Sequence, residues 1–161
     1  MYRIGVVNID TSHPKAFSDY LRKGDRARYT AVFNEGFRGD DEVEGFMYTN
    51  SIGKRHYSLS KMAEDVDIGF IHGCNWNKHL SRAKAFIEAG KPVFIDKPIA
   101  GNLRDCLELE CLAASGAKIY GSSSLRYAEE VTSFLAQPED ERGKIVHITA
   151  TVGVDEFNYA I

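Results

Sequence analysis

Residues 67–98 read DIGFIHGCNWNKHLSRAKAFIEAGKPVFIDKP, and the fold is decided there. Ile68 to Ile71 is a continuous apolar run of the kind buried on both faces of a parallel sheet. Lys78 to Ala89 follows as a helix carrying Leu80, Ala83 and Ile87 inward, and Gly90 ends it. Pro92 to Ile95 is a second short apolar run. Strand, helix and strand in this order form one unit of an alternating α/β chain.

The same alternation extends outward in both directions. Upstream, Tyr2 to Asn8 is a β-branched apolar run that breaks at Asp10, Thr11 and Ser12, which are good helix N-cap residues. A helix is predicted from Pro14 to Lys23, with Phe17 and Leu21 on one face and Gly24 as its stop, and a strand from Tyr29 to Phe33. Asn34 to Asp41 is polar and glycine-bearing, and Leu59, Met62, Ala63 and Val66 then recur at helical spacing. Downstream, Leu103 to Ser115 reads as a helix through Leu103, Leu107, Cys111 and Ala114, and Ile119 to Gly121 as a strand. The sum is a doubly wound α/β chain with a parallel, Rossmann-type sheet.

After residue 121 the texture changes. Ser122, Ser123 and Ser124 lead into a helix-like Ala128 to Ala136, a polar stretch from Gln137 to Arg142, and an alternating strand pattern from Lys144 to Val152. We expect a dinucleotide-binding domain over residues 1–121, followed over 122–161 by a connecting helix and the first strand of a truncated α+β domain for substrate binding or dimerisation. One strand buries too little to stand alone. The uncapped pattern Phe157 to Ile161 suggests a fragment of a longer chain.

Composition bounds the function. With 43% hydrophobic residues in 161, one core of single-domain size is the ceiling. Twenty basic against 23 acidic side chains give a net charge of −3, which leaves no electrostatic footprint for nucleic acid. Cys74, Cys106 and Cys111 make an odd count without framework spacing, so reduced thiols are expected, with Cys106 and Cys111 in the core. No signal-like N-terminus and no apolar run near the roughly 20 residues of a membrane span is present. A cytoplasmic protein with no nucleic-acid or membrane partner is the expectation.

Asp96-Lys97-Pro98 places an acid and a lysine at the carboxyl end of a buried strand, where open α/β sheets bind ligands. The proline biases Lys97 toward an extended backbone, away from a helix. A solvated Lys-Pro turn is the plain alternative. His72, Cys74 and His79 match no common zinc spacing, so no metal is expected. Trp76 in the same loop either covers a bound ring or is a half-buried anchor.

Read together, these motifs resemble the Gfo/Idh/MocA family of NAD(P)-dependent oxidoreductases. Asp67 to Ile71 followed by Asn75, Trp76, Asn77 and His79 is similar to its fourth strand and Asn-x-x-x-His loop. Glu88 to Val93 resembles its next helix end and strand, Asp96-Lys97-Pro98 its Glu-Lys-Pro signature, and Gly121 to Tyr127, with Arg126, the segment after its sixth strand. The resemblance spans about residues 2–152 and is specific from Asp67 to Tyr127.

It implies a dehydrogenase acting on a hydroxyl of a sugar, cyclitol or related polyol. Lys97 would then lie beside the nicotinamide ribose and handle the proton, and Asp96 would orient it; lysine serves as a base once burial or a neighbour lowers its pKa. The family's further acid or base, commonly a histidine, comes from the second domain, so this chain alone is expected to be inactive. Cys74, Asn75, Trp76, His79 and Arg126 join Lys97 as implied cofactor contacts, and the full-length form as a homo-oligomer.

The first loop departs from the family. Asn8 and Asp10 stand where two glycines would approach the pyrophosphate. Asparagine tolerates glycine-like angles, whereas an anionic Asp10 beside a diphosphate is unfavourable unless it faces away as a helix cap. Thr11, Ser12 and His13 could instead supply side-chain donors at the helix N-terminus. At the end of the second strand, Asn34 and Glu35 could hold the ribose hydroxyls of NAD, while Arg38 could meet the phosphate of NADP; NAD is favoured and NADP stays open. A non-catalytic relative that binds a nucleotide or metabolite as a sensor or assembly partner is the alternative that Asp10 and the short C-terminus favour.

Overall fold

The computed structural model describes residues 1–149 and 151. Six strands, β1 (Tyr2–Val7), β2 (Ala27–Phe33), β3 (Lys54–His56), β4 (Ile68–Ile71), β5 (Val93–Ile95) and β6 (Ile119–Tyr120), make one sheet in the order β3-β2-β1-β4-β5-β6. Every pairing is parallel. The helices between them are α1 (His13–Leu21), α2 (Asp40–Asn50), α3 (Leu59–Asp65), α4 (His79–Glu88) and α5 (Leu103–Ala114).

Strand alternation divides the core into two layers. Ile4 and Val6 pack with Tyr29, Val32, Val43 and Ile52 on one face. Val7 packs with Met62, Ile71, Phe86, Val93 and Ile95 on the other. Two strand glycines admit large partners from the second layer: a Cβ on Gly69 would lie 2.6 Å from the Phe86 ring, and one on Gly5 would lie 2.6 Å from Met62 Cε.

The expected Rossmann-type sheet is therefore present, with differences. α2 and β3 lie almost wholly in residues 42–58, to which the sequence pattern assigns no element. β3 is a three-residue edge strand of charged residues, which carries no apolar signal. In α5 the stripe of Leu103, Leu107, Cys111 and Ala114 faces solvent, and Leu109 faces the core. Cys106 and Cys111 are both exposed, not core residues.

Contacts divide the chain at Ser122/Ser123. The second unit holds a 3-10 turn at Ser124–Tyr127, α6 (Glu129–Ala136) and α7 (Glu139–Arg142). The strand expected from Lys144 to Val152 does not form over residues 144–149, where no regular structure occurs; the segment Phe157 to Ile161 lies outside the described residues. No helix among the described residues is long and apolar enough to cross a membrane.

Candidate functional site

β1 and β4 are neighbours whose connections leave toward opposite edges of the sheet, and the crevice between their carboxyl ends is where such folds take ligands. The first residue past each of three adjacent strands continues the ladder: Asn8 N–H donates to Phe33 O (2.7 Å), His72 N–H to Val7 O (2.9 Å) and Asp96 N–H to Ile71 O (2.9 Å). Three polar side chains are thus set in a row along the carboxyl edge by backbone bonds alone.

Asn8 takes φ 65°, the left-handed conformation a loop glycine would supply. Its side-chain amide donates to Asp10 Oδ2 (3.1 Å), which also accepts from the Cys74 backbone N–H (3.1 Å). Asp10 is only 5% exposed. It ties the first loop to the loop after β4 and caps no helix. The N-cap position belongs to Ser12, which makes no side-chain cap bond; the His13 N–H is taken by Thr11 Oγ1 (3.2 Å).

Arg82, on α4, is buried to 4% exposure. Burial pulls its guanidinium below its ordinary range, partly offset by the charges of Asp10 and Glu35. Gly36 lets this cluster close, since a Cβ there would overlap the Asp10 carboxylate. A cavity of about 220 Å³ lies at this point, lined by Asn8, Asp10, Glu35, Cys74, Lys78 and Arg82 among others.

A second cluster sits beside it. Asp96 Oδ2 is 2.6 Å from His13 Nδ1 and 2.9 Å from His72 Nδ1, and Asp96 Oδ1 accepts from the Lys97 backbone N–H (2.8 Å). A carboxylate can only accept, so both rings carry a proton on Nδ1. Burial by itself would raise the Asp96 carboxyl, but its hydrogen bonds to His72 and His13 and the electrostatic pull of those rings outweigh it, and the group is held below the usual carboxylate range. Burial pushes His72 down, against the pull of Asp96, so its ring stays neutral. Its Nε2 accepts from the Tyr29 hydroxyl over 3.4 Å, and burial raises that phenol far above its ordinary value. Phe17 closes over the group, 5.3 Å centroid to centroid from His72.

The expected contact residues differ in how the protein already engages them. His79 is buried with both ring nitrogens on backbone carbonyls, Pro98 O (2.9 Å) and Gly73 O (2.7 Å), so it ties two loops and has no nitrogen left for a cofactor. Asn34 is likewise engaged, accepting from Ile9 N–H and donating to Arg38 O. Arg38 pairs with Glu42 (2.8 Å) and donates to Asp10 O. Trp76 is a half-buried anchor packed where a Cβ on Gly101 would clash. Glu35, Asn75 and Ser12 are exposed, Thr11, Cys74 and Lys97 half-buried, and Arg126 is exposed in the second unit. His72, Arg82 and Tyr29 were not anticipated as site residues. The available signal was that His72 and Asp96 are both the first polar residue after an apolar strand.

Residues 3–123 match the family model for the oxidoreductase family with an NAD-binding Rossmann fold, Gfo/Idh/MocA. The chain belongs to this family. No curated protein matches it. Among solved structures it is similar to a biliverdin reductase from Synechocystis sp. in complex with biliverdin and NADP+ (19% identity, TM-score 0.68, 78% of this chain and 39% of that one). It is also similar to an apo scyllo-inositol dehydrogenase from Lactobacillus casei (18%, 0.68, 84% and 39%) and a UDP-N-acetylglucosamine 3-dehydrogenase from Acidithiobacillus ferrooxidans (15%, 0.68, 83% and 42%). At these identities the likeness concerns the fold alone. The chain spans about two fifths of their length.

The residues present fit the family's dinucleotide. Asn8 supplies the glycine-like backbone, Asp10 is turned inward with Arg82 as counter-charge, and the start of α1 carries no side-chain cap.

Proposed function

We propose that this Gfo/Idh/MocA chain is the nucleotide-binding part of an NAD(P)-dependent dehydrogenase acting on a hydroxyl of a sugar, cyclitol or related polyol. The observation that carries this reading is the cluster of His13, His72, Asp96 and Lys97 at the carboxyl edge of β4 and β5, next to the start of α1. The amides of Thr11 and Ser12 would face the diphosphate, and Glu35 the adenosine ribose hydroxyls, which favours NAD. A bound nicotinamide supplies the acceptor for hydride.

The chain's own residues handle position and protons. Asp96, braced by both histidines, fixes the Lys97 backbone, and Lys97 Nζ exchanges the proton of the substrate hydroxyl. Residues 123–161 are then the beginning of a substrate domain whose remainder lies outside this sequence. The acidic loop residue that speaks for a non-catalytic relative is buried and bonded to Asn8 and Cys74, which supports the catalytic reading.

The test is a turnover assay with NAD+ and a panel of sugars, cyclitols and polyols. A version extended through a substrate domain should form reduced nicotinamide, and the 161-residue chain should not. Saturable dehydrogenation by the 161-residue chain would contradict the division of labour, and an extended protein inert toward every polyol would contradict the substrate class.

A further inference from the structure

His13 is the first residue of α1, a nine-residue helix, and its side chain is 28% exposed while the Asp96 and His72 side chains behind it are 7% and 0% exposed. Its Nδ1 is held by Asp96. Nε2 has no hydrogen-bond partner among the described residues, so the ring has one nitrogen through which it can meet a ligand. Its surroundings are now defined: Asp96 faces it from the end of β5, His72 lies behind Asp96 at the end of β4, Lys97 follows Asp96, and Phe17 packs edge-on one helical turn along.

Leaving aside Lys97, which follows in the chain, the His13–Asp96–His72 group takes its one negative charge from Asp96. A proton added at Nε2 of His13 makes it neutral overall, whereas His72 is sealed from solvent and has its Nε2 against Tyr29. The positive end of α1 opposes a charged ring, and Asp96 favours one. An arriving diphosphate supplies a second anion at the helix start and tips that balance. Two other nearby cations are already engaged: Arg82 is buried and interacts electrostatically with Asp10, and Arg38 is paired with Glu42.

We propose that dinucleotide binding is coupled to proton uptake by His13, whose imidazolium donates from Nε2 to the diphosphate while Asp96, braced by neutral His72, positions the ring. This rests on the dinucleotide-binding reading above. The balance is simple: one proton leaves solvent and is bound at Nε2, and no other bond is made or broken.

The experiment is calorimetric titration of the 161-residue chain with NADH in buffers of different ionisation enthalpy, at about pH 7.5, where a histidine can change charge on binding. The expected result is uptake of roughly 0.5–1 proton per NADH, with affinity weakening by up to about tenfold per unit of rising pH, the limit for one linked proton. In His13→Gln the uptake vanishes and NADH binds about tenfold more weakly, the range of a charge-assisted contact. Adenosine, which has no phosphate, takes up no proton and binds both chains alike. Asp96→Asn should shrink the uptake, because a neutral amide no longer favours an imidazolium at His13. NADH binding without proton uptake, or uptake that persists in His13→Gln, overturns the proposal and leaves the dinucleotide site standing. Absence of NADH binding overturns the dinucleotide reading and the proposal with it.

Discussion

Replacing Asp10 by alanine removes the acceptor of two hydrogen bonds and the nearest counter-charge of a buried arginine. The Cys74 N–H and the Asn8 side-chain amide lose Oδ2, to which each now donates over 3.1 Å. An unsatisfied buried donor costs about 1–3 kcal/mol. Stranding one member of a buried charged pair costs about 3–5 kcal/mol, and Asp10 and Arg82 interact without a direct ion pair, so only a fraction of that applies. A net loss of about 2–4 kcal/mol is expected for Asp10→Ala, and about half that for Asp10→Asn, which keeps one acceptor oxygen. Urea unfolding followed by circular dichroism measures both. If Asp10 braces the loop, each variant also weakens NADH binding. A loss below about 1 kcal/mol for Asp10→Ala, or tighter NADH binding by either variant, refutes the bracing role and restores the view of Asp10 as an obstacle to the diphosphate.

Gly69→Ala should destabilise by about 1–3 kcal/mol, because its Cβ meets the rigid Phe86 ring, whereas Gly5→Ala should lose less, because Met62 Cε can swing aside; denaturant midpoints compare the two. Stability should fall on acidification below about pH 6.5, where the unfolded chain takes a proton that buried His72 refuses, and fall further as Asp96 is protonated. His72 and Asp96 are both depressed on folding, so the stabilisation is present above their unfolded values and lost as pH drops, and urea series at several pH values should show a shallower slope in His72→Gln. With a thiol reagent under native conditions, exposed Cys106 and Cys111 should react quickly and Cys74 slowly, since burial first and the Asp10 charge second raise its thiol.

The fold was most legible where burial on two faces leaves an unbroken apolar run. Ile68 to Ile71 was bounded to the residue, and the strands around it to within one or two. β3 was not legible, because Lys54, Arg55 and His56 pair only with β2 at the sheet edge. In α5 the periodicity was right but the side was wrong: Leu103, Leu107 and Cys111 form as regular a stripe as Leu109 and Leu112, and only the neighbours decide which one is buried.

The site divided along the same line. Asp96 and Lys97 were readable from a strand end followed by a Lys-Pro pair. The link from His13 to Asp96 spans 83 positions and that from His72 to Asp96 spans 24, so no local pattern shows that one carboxylate serves both. Arg82 sits at a polar position of a helix read for its apolar face, and its burial follows from Gly73, where a Cβ would collide with the guanidinium. His79 is a cofactor contact only as the family resemblance implies it, and the carbonyls that occupy it come from two separate loops.

The central claim is that the carboxyl edge of β1 and β4 holds a dinucleotide, and Trp76 reports on it directly. It is the only tryptophan in the chain and stands in the loop that follows β4. Titrating the 161-residue chain with NADH, and separately with NADPH, should give a saturable quench or shift of Trp76 emission, with NADH the tighter ligand. A flat response to both at millimolar concentration, in a chain shown to be folded, would contradict it.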